Sequence, residues 1–244
     1  MKIAAIVPYS TVDELGRSSI TFFTSGCNLD CQYCHNHRLI SGSVGKEMTV
    51  DDILTVINDN ARFITSVVIS GGEPTLQPDL LDVVTAIKQR TKLRVYINSN
   101  GTRFDAIRDI AGMVDGISID FKTMMPGVIP HYDSRTIETV IKSIRYIANE
   151  YRRRPTFKAE VRLTIAEPMI PLGMVPIIVM SLISWTYEGY LVIQEFDDEN
   201  IRPEFKHLLK PIDIDRVVSM IRSIDTMPLY VIARTLANGI VLVQ

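Results

Sequence analysis

The strongest constraint on the fold is an alternation of two sequence patterns that runs through most of the chain. Short β-branched runs, typical of buried strands, are followed by polar residues and then by segments with apolar residues every three or four positions, typical of helices. The runs predicted as strands are 20–24, 66–70, 93–98, 116–120, 157–165 and 190–196. Strands that alternate with helices form a parallel sheet. We therefore predict an α/β fold, a partial TIM-like (β/α)6 barrel with a small C-terminal extension.

The chain offers no obvious boundary between domains. Apolar helical stripes lie at 50–57, 80–87, 137–151 and 214–224, and no repeat or Gly/Ser-rich linker separates them. Hydrophobic residues make up 46% of the 244 positions, enough to fill a sizeable core. We predict one domain over residues 1–244, with a core of about 16–225 and C-terminal edge strands within 229–244, formed by 229–234 and 240–244.

One uncharged stretch, residues 168–187, approaches the length of a membrane span. Pro168, Pro171, Gly173 and Pro176 interrupt its first half, so we predict a loop followed by a buried helix with Pro176 in its first turn. The N-terminal residues lack the long apolar segment of a secretory signal. We expect a cytoplasmic protein with no membrane partner.

The net charge and the positions of the cysteines reduce the number of function classes that fit the chain. Lys and Arg total 26 against 28 Asp and Glu, a net charge of −2, which argues against a nucleic-acid partner. The three cysteines all fall between positions 27 and 34, an odd number in one short segment. This is a poor design for disulfide bonds, so the cysteines point to a metal or to catalysis.

Polar motifs follow five of the predicted strands. They are CNLDCQYCHN, GGEP, NSNG and DFK after the first four strands, and Gln194 in the sixth. Because functional loops of parallel βα folds gather at the carboxyl ends of the strands, we expect these motifs to form one site.

Cys27, Cys31 and Cys34 have the spacing C-x3-C-x2-C on the loop after the first predicted strand. Three thiolates on one loop favour a [4Fe–4S] cluster that leaves the fourth iron open. A zinc site completed by His35 or His37 is one alternative, because structural zinc needs four ligands. A catalytic cysteine beside a histidine is another, although it leaves two cysteines unexplained.

The cysteine motif, with Tyr33 before its last cysteine, and GGEP at Gly71 to Pro74 resemble the radical S-adenosylmethionine (SAM) superfamily. Together with VVISGGEPTLQ, SNGT, DFK and IQEFDDENIRPEF, the string CNLDCQYCHN is similar to anaerobic ribonucleotide reductase activating proteins and to their relatives, the pyruvate formate-lyase activating enzymes. The similarity begins near Asp13 and Gly16 and reaches Pro203.

The resemblance implies an enzyme of anaerobic metabolism that cleaves SAM reductively at a [4Fe–4S] cluster and generates a glycyl radical on a partner. Anaerobic ribonucleotide reductase is the expected partner, and flavodoxin or ferredoxin is the expected one-electron donor. Alternatives are an activating enzyme for another glycyl radical enzyme, and a small-molecule or nucleoside-modifying radical SAM enzyme. The alternative of a different class is a zinc-stabilised binding module without catalysis.

The resemblance also suggests cofactor-binding residues, Tyr33 among them. Gly71 and Gly72 lack side chains, so the backbone can approach the methionine amino group of SAM, which Glu73 helps to satisfy. Asn98 and Ser99 offer neutral hydrogen-bonding groups for a ribose or a carboxylate. The related activating enzymes have an acidic residue in place of Asn98.

Four further residues complete the predicted site. Asp120 and Lys122 flank Phe121, so strand alternation places both charges on one face, which the resemblance assigns to the cofactor and substrate. Arg162 lies among apolar residues and needs an acceptor; the family places an arginine here near the cofactor carboxylate or Glu73. Gln194 and Glu195 point to opposite faces, and we expect Gln194 to face the barrel interior.

Overall fold

The computed structural model describes residues 1–185, 187–224, 229–235 and 239–243. Its strands are β1 (Lys2–Ser10), β2 (Ser19–Thr24), β3 (Lys46–Glu47), β4 (Ser66–Gly71), β5 (Arg94–Ser99), β6 (Gly116–Asp120), β7 (Lys158–Glu167), β8 (Tyr190–Glu195), β9 (Lys210–Pro211), β10 (Tyr230–Thr235) and β11 (Gly239–Leu242). Its α-helices are α1 (Val50–Asn60), α2 (Leu80–Arg90), α3 (Phe104–Ala111), α4 (Ser134–Arg153), α5 (Val175–Ser184) and α6 (Ile214–Arg222).

One sheet runs through the described chain. Its parallel part has the order β2-β4-β5-β6-β7-β8-β10. The antiparallel strands β1 and β3 extend the β2 side, β11 extends the β10 side, and β9 pairs with β7. The predicted α/β class with a parallel barrel-like sheet is confirmed, and the six predicted strands correspond to β2 and β4 through β8.

The C-terminal extension adds more than the predicted edge hairpin. β10 and β11 do form an antiparallel hairpin, but β10 also pairs in parallel with β8, which makes it a seventh strand of the parallel array. The predicted segment 229–244 includes residues 236–238 and Gln244, which lie outside the described residues, as does Asp225 at the end of the predicted core.

The N-terminal strand β1 was not predicted, because Pro8 interrupts its apolar run. The structure accommodates Pro8 in an irregular stretch, since the register between β1 and β2 shifts between Val7 and Ser10. The short partner β3 pairs only with Lys2 and Ile3, so no ladder hydrogen bond is required of Pro8 on that side.

The loop between β1 and β2 covers the amino ends of the parallel strands. Glu14 is 1% exposed, and its Oε1 lies 3.4 Å from Nε of Arg94, the first residue of β5. The ammonium group of Lys158, at the start of β7, donates to the carbonyl oxygen of Leu15 at 3.4 Å. This cover leaves the carboxyl ends of the strands as the place for a site.

The uncharged segment folds as predicted, with α5 beginning at Val175 and Pro176 in its first turn. Ile178, Val179 and Leu182 are buried in the core, whereas Ile177 and Met180 face outward. Among the described residues, no helix combines the length and apolar character that a membrane crossing requires.

The adjacent residues Ile177 and Ile178 give a matched stability test. Ile178 is 0% exposed and Ile177 is 55% exposed on the same helix. We expect Ile178→Ala to lower the free energy of unfolding by about 2–5 kcal/mol, because it removes buried surface and leaves a cavity. Ile177→Ala should change it by no more than about 0.5 kcal/mol. Urea unfolding of both variants measures the difference, and equal losses would contradict this assignment of the buried face.

Candidate active site

A cavity of about 340 Å³ lies at the carboxyl ends of the parallel strands. All the residues predicted for the site line it, namely Cys27, Cys31, Tyr33, Cys34, Gly71, Gly72, Glu73, Asn98, Ser99, Asp120, Lys122, Arg162 and Gln194. Five strands and their loops contribute these residues in addition to the cysteine loop. The structure therefore brings the predicted set together, while the role of each residue stays a prediction.

The cysteine loop is held by backbone hydrogen bonds and by one distant arginine. Cys27 N donates to Ile40 O at 3.1 Å, and Cys34 N donates to Cys31 O at 3.1 Å. Arg202, from the segment after β8, pairs with Asp30 at 2.7 Å. These contacts fix the loop from both sides.

The thiols lie in a poorly solvated environment. Burial raises the pKa of Cys27 to about 11 and that of Cys31 to about 12. Two N–H groups face the sulfur of Cys27, the backbone amide of Leu29 at 3.5 Å and the side-chain amide of Asn100 at 3.9 Å. The pocket thus disfavours bare thiolates but offers donors to a sulfur that carries charge.

The ligand set fits a cluster better than a single zinc ion. His35 Nε2 lies 2.7 Å from Asp197 O and His37 Nδ1 lies 3.3 Å from Cys34 O, so each of these two nitrogens donates a hydrogen bond to a carbonyl oxygen and only the other ring nitrogen could bind a metal. No three Cys, His, Asp or Glu side chains of the described residues are placed to hold one metal ion. A cubane needs only one thiolate at each of three separate irons, which suits three cysteines around one cavity.

The GGEP loop packs against the start of the cysteine loop. Gly72 N donates to Thr24 O at 2.9 Å, and Glu73 N donates to Gly26 O at 2.8 Å. A Cβ atom at Gly72 would stand 2.0 Å from Gly26 O. The backbone of Gly26 therefore excludes any side chain at position 72, and binding of the cofactor by the backbone of Gly72 stays a prediction.

Glu73 is 1% exposed and forms hydrogen bonds through both carboxylate oxygens. Its Oε1 accepts from the backbone and hydroxyl of Thr75 and from the hydroxyl of Ser99, and its Oε2 accepts from Asn100 N at 2.6 Å. Burial raises its pKa, although these donors oppose the shift. Oε2 has fewer partners and is the oxygen with capacity for a ligand.

The two side-chain amides at the end of β5, Asn98 and Asn100, form different contacts. Asn98 donates weakly to the hydroxyl of Ser70 at 3.5 Å, while its Oδ1 is buried without a partner in the described structure. Asn100 donates to Asn28 at 2.9 Å and accepts from Thr102, which orients its NH2 group toward the cysteine loop. Asn98 thus presents a free acceptor and Asn100 joins two loops.

The charged residues of β6 and β7 form paired groups. Lys122 Nζ lies 3.0 Å from Asp120 Oδ2, and burial opposes both charges but their attraction prevails, lowering the pKa of Asp120 and raising that of Lys122. Arg162 pairs with Glu160 at 2.8 Å and approaches Asp120 at 3.9 Å. Among the described residues Arg162 thus pairs with Glu160, two residues earlier on the same face of β7, and not with Glu73, while its predicted place near the cofactor carboxylate stays a prediction.

Gln194 lines the cavity as predicted, at the same level as Thr164 of β7 and Arg234 of β10. Neither Thr164 nor Arg234 was predicted. A signal was present for Arg234, because it lies in an apolar strand-like run as Arg162 does, but this run was assigned to an edge hairpin outside the barrel.

The fold and the site define a class of protein, an α/β barrel whose cysteine loop suits an iron–sulfur cluster. The chain belongs to the radical SAM superfamily, whose family model matches residues 21–171, more than half of the chain. The cofactors of this superfamily are a [4Fe–4S] cluster and SAM. The predicted family and cofactors are confirmed, and this membership decides against the zinc-stabilised binding module.

Two relatives are named as activating enzymes. A Methanocaldococcus jannaschii protein, provisionally named a glycyl-radical enzyme activating enzyme, is 34% identical over 122 residues, which are 49% of this chain and 50% of that protein. The pyruvate formate-lyase 1-activating enzyme of Escherichia coli is 28% identical over 147 residues, 57% of this chain and 59% of that enzyme. The chain thus spans half to three fifths of these relatives.

Solved structures support the fold. The structure of Streptococcus suis SuiB bound to SAM superposes with a TM-score of 0.66 at 16% identity, covering 86% of this chain and 48% of SuiB. At this identity the likeness concerns the barrel alone.

We expect Gly72→Ala to impair cluster assembly, because its Cβ would displace Gly26 and with it the neighbouring Cys27. Iron and sulfide content after anaerobic reconstitution should fall at least severalfold. Gly112→Ala is the matched control, since nothing lies within 4 Å of its added Cβ. Normal iron content in Gly72→Ala would show that the backbone contact can be relaxed without consequence.

Proposed function

We propose that this chain is a glycyl-radical enzyme activating enzyme and that its partner is an anaerobic ribonucleotide reductase. The observation that carries the proposal is the single cavity that joins the three-cysteine loop, the GGEP loop and the Asp120–Lys122 pair. The names of the two curated relatives support the choice of an activating enzyme, and the cysteine string with its neighbours supports the reductase. In this proposal residues 1–244 act as one cytoplasmic radical SAM domain.

In this proposal Cys27, Cys31 and Cys34 hold three irons of the [4Fe–4S] cluster. A cluster bound there and reduced by flavodoxin or ferredoxin would supply the one electron for the reductive cleavage of SAM, the chemistry that a glycyl-radical activating enzyme needs in order to remove a hydrogen atom from a glycine of its partner. The two N–H groups that face Cys27 stabilise negative charge on its sulfur.

The remaining residues bind and orient the cofactor. Glu73 Oε2 accepts a hydrogen bond from a group such as the ammonium of SAM. Oε1 is less available, because it already accepts hydrogen bonds from three donors. Asn98 Oδ1 accepts from a hydroxyl of the ribose, a bond that satisfies its buried oxygen. Lys122 and Arg162 donate hydrogen bonds to the cofactor. Each is already paired with a carboxylate, so its positive charge is balanced whether or not the cofactor is bound.

The cysteine assignment predicts complete loss of SAM cleavage in Cys27→Ala, Cys31→Ala and Cys34→Ala, because two thiolates do not hold a cubane with one defined open corner. Met180→Ala, an exposed change on α5, should cleave SAM normally. Cleavage is measured as 5′-deoxyadenosine formed in the presence of dithionite. Normal turnover in any cysteine variant would refute the ligand assignment.

The partner assignment has its own test. Reduced, reconstituted enzyme mixed with SAM and a cognate anaerobic ribonucleotide reductase should produce a glycyl doublet in the electron paramagnetic resonance spectrum, because the radical is transferred to a backbone carbon. The same mixture with Cys31→Ala is the control. SAM cleavage without a doublet, together with deuterium transfer from a small metabolite into 5′-deoxyadenosine, would favour the small-molecule alternative.

A further inference from the structure

One residue of the cavity, Asn100, contacts three parts of the site at once. It directly follows β5, is 5% exposed and lines the cavity that the cysteines also line. Its backbone N–H donates to Glu73 Oε2 at 2.6 Å, and its side chain contacts the cysteine loop. The cysteine loop, the GGEP loop and the end of β5 therefore meet at this residue.

The hydrogen bonds of the Asn100 side chain fix the direction in which its amide points. Its Oδ1 accepts from the backbone N–H of Thr102 at 3.0 Å and from the hydroxyl of Thr102 at 2.7 Å. A reversed amide would turn its NH2 group toward these two donors, so the NH2 group has to face the other way. One N–H donates to Asn28 Oδ1 at 2.9 Å, and the nitrogen lies 3.9 Å from the sulfur of Cys27. The second N–H is therefore left to face this sulfur.

The contact between Asn100 and Cys27 acts through the dipole of the N–H bond. A distance of 3.9 Å is long even for a sulfur acceptor, so the contact is weaker than an ordinary hydrogen bond. Dipoles in a poorly solvated pocket are nevertheless screened less than in water. The other donor at Cys27 is the backbone N–H of Leu29 at 3.5 Å, which a change of the Asn100 side chain leaves in place.

A donor at a ligand sulfur affects the two oxidation states of an iron–sulfur cluster unequally. One-electron reduction adds negative charge, and the thiolate ligands carry part of it. An N–H group that faces such a sulfur therefore stabilises the reduced state more than the oxidised state. Hydrogen bonds to the sulfurs are one of the factors that set the reduction potentials of iron–sulfur clusters.

We propose that Asn100 is a positioning residue that acts through Cys27 and raises the reduction potential of the [4Fe–4S] cluster. This inference rests on the assignment of Cys27 as an iron ligand in the proposed function. A higher potential makes it easier for a flavodoxin or ferredoxin to reduce the cluster. Asn100 thus serves electron transfer, while Glu73 serves the binding of SAM.

Asn28 provides a control that separates this electrostatic role from a purely structural one. Its amide donates to Thr102 Oγ1 at 2.8 Å, and its Oδ1 accepts from Asn100, so it links the cysteine loop to the residues after β5. Asn28→Ala removes this link, but Thr102 still holds the amide of Asn100. Asn100→Leu removes both the link and the donor at Cys27, with little change in side-chain size.

The experiment is an anaerobic redox titration of reconstituted enzyme without SAM, followed by the electron paramagnetic resonance signal of the reduced cluster. Iron and sulfide content is measured first for each variant. We expect Asn100→Leu and the smaller Asn100→Ser to lower the equilibrium constant for reduction at least threefold, about 28 mV for one electron. Asn28→Ala should change this constant less than about twofold, because the donor at Cys27 is retained.

Three outcomes would overturn the inference. An unchanged potential in Asn100 variants with full iron content would leave Asn100 as a link between loops. An equal shift in Asn28→Ala would assign the effect to that link. Loss of the cluster from both Asn100 variants but not from Asn28→Ala would mean that Asn100 governs cluster assembly and not the potential.

This test is separate from the tests of the proposed function. It requires neither the partner nor turnover, so a missing glycyl radical signal would reject the proposed partner and leave the role of Asn100 standing. An intact cluster in Cys27→Ala would reject the ligand assignment and the role of Asn100 together. Loss of the cluster from Cys27→Ala, with unchanged potentials in the Asn100 variants, would reject the role of Asn100 alone.

Discussion

The architecture of the site depends on a backbone contact between two loops that are far apart in sequence. The turn after β4 donates two hydrogen bonds to the chain leaving β2, and the approach leaves no room for a side chain at Gly72. Each such bond stabilises the fold by only about 0.5–1.5 kcal/mol. The structural effect of the contact is larger than this energy suggests, because the contact sets the position of Cys27 relative to Glu73. The two most recognisable motifs of the sequence are therefore one structural unit.

A second constraint is the pairing of charge along β6 and β7. Asp120 lies beside Lys122, and Glu160 lies beside Arg162 in surroundings that leave Glu160 only 1% exposed. In such surroundings the loss of one partner leaves the other charge uncompensated, at a cost of about 3–5 kcal/mol for a fully buried pair. Replacing Arg162 alone would leave Glu160 with the hydroxyl of Ser118 and the more distant ammonium group of Lys158, so reduced cofactor binding in such a variant would combine lost contacts with a disturbed fold.

Much of this organisation could be predicted because it follows local periodicity. The parallel core strands were predicted from β-branched runs. The residues that line the cavity were predicted from the rule that functional loops gather at the carboxyl ends of parallel strands. The partner of Arg162 could also have been found locally, since Glu160 lies two residues earlier on the same strand face. The contact between Gly72 and Gly26 could not be predicted from the sequence, because the two residues are 46 positions apart in the chain. The parallel pairing of β10 with β8 was missed for a similar reason, since a short apolar run does not reveal its neighbour.

The environment of the cysteines links cluster binding to the stability of the fold. Burial raises the pKa of Cys27 to about 11 and of Cys31 to about 12, so the folded chain favours neutral thiols at physiological pH. A group with a raised pKa contributes its stability below its ordinary pKa, and this contribution disappears as the pH rises through the raised value. Ligands to iron must be thiolates, so the positive charge of the irons has to offset the desolvation that the barrel imposes. The N–H groups of Leu29 and Asn100 reduce the desolvation cost of a thiolate at Cys27. The neighbouring Lys122 opposes the rise in pKa at all three thiols. The same lysine is held by Asp120, which couples the charge state of the cysteine loop to the pair at the end of β6.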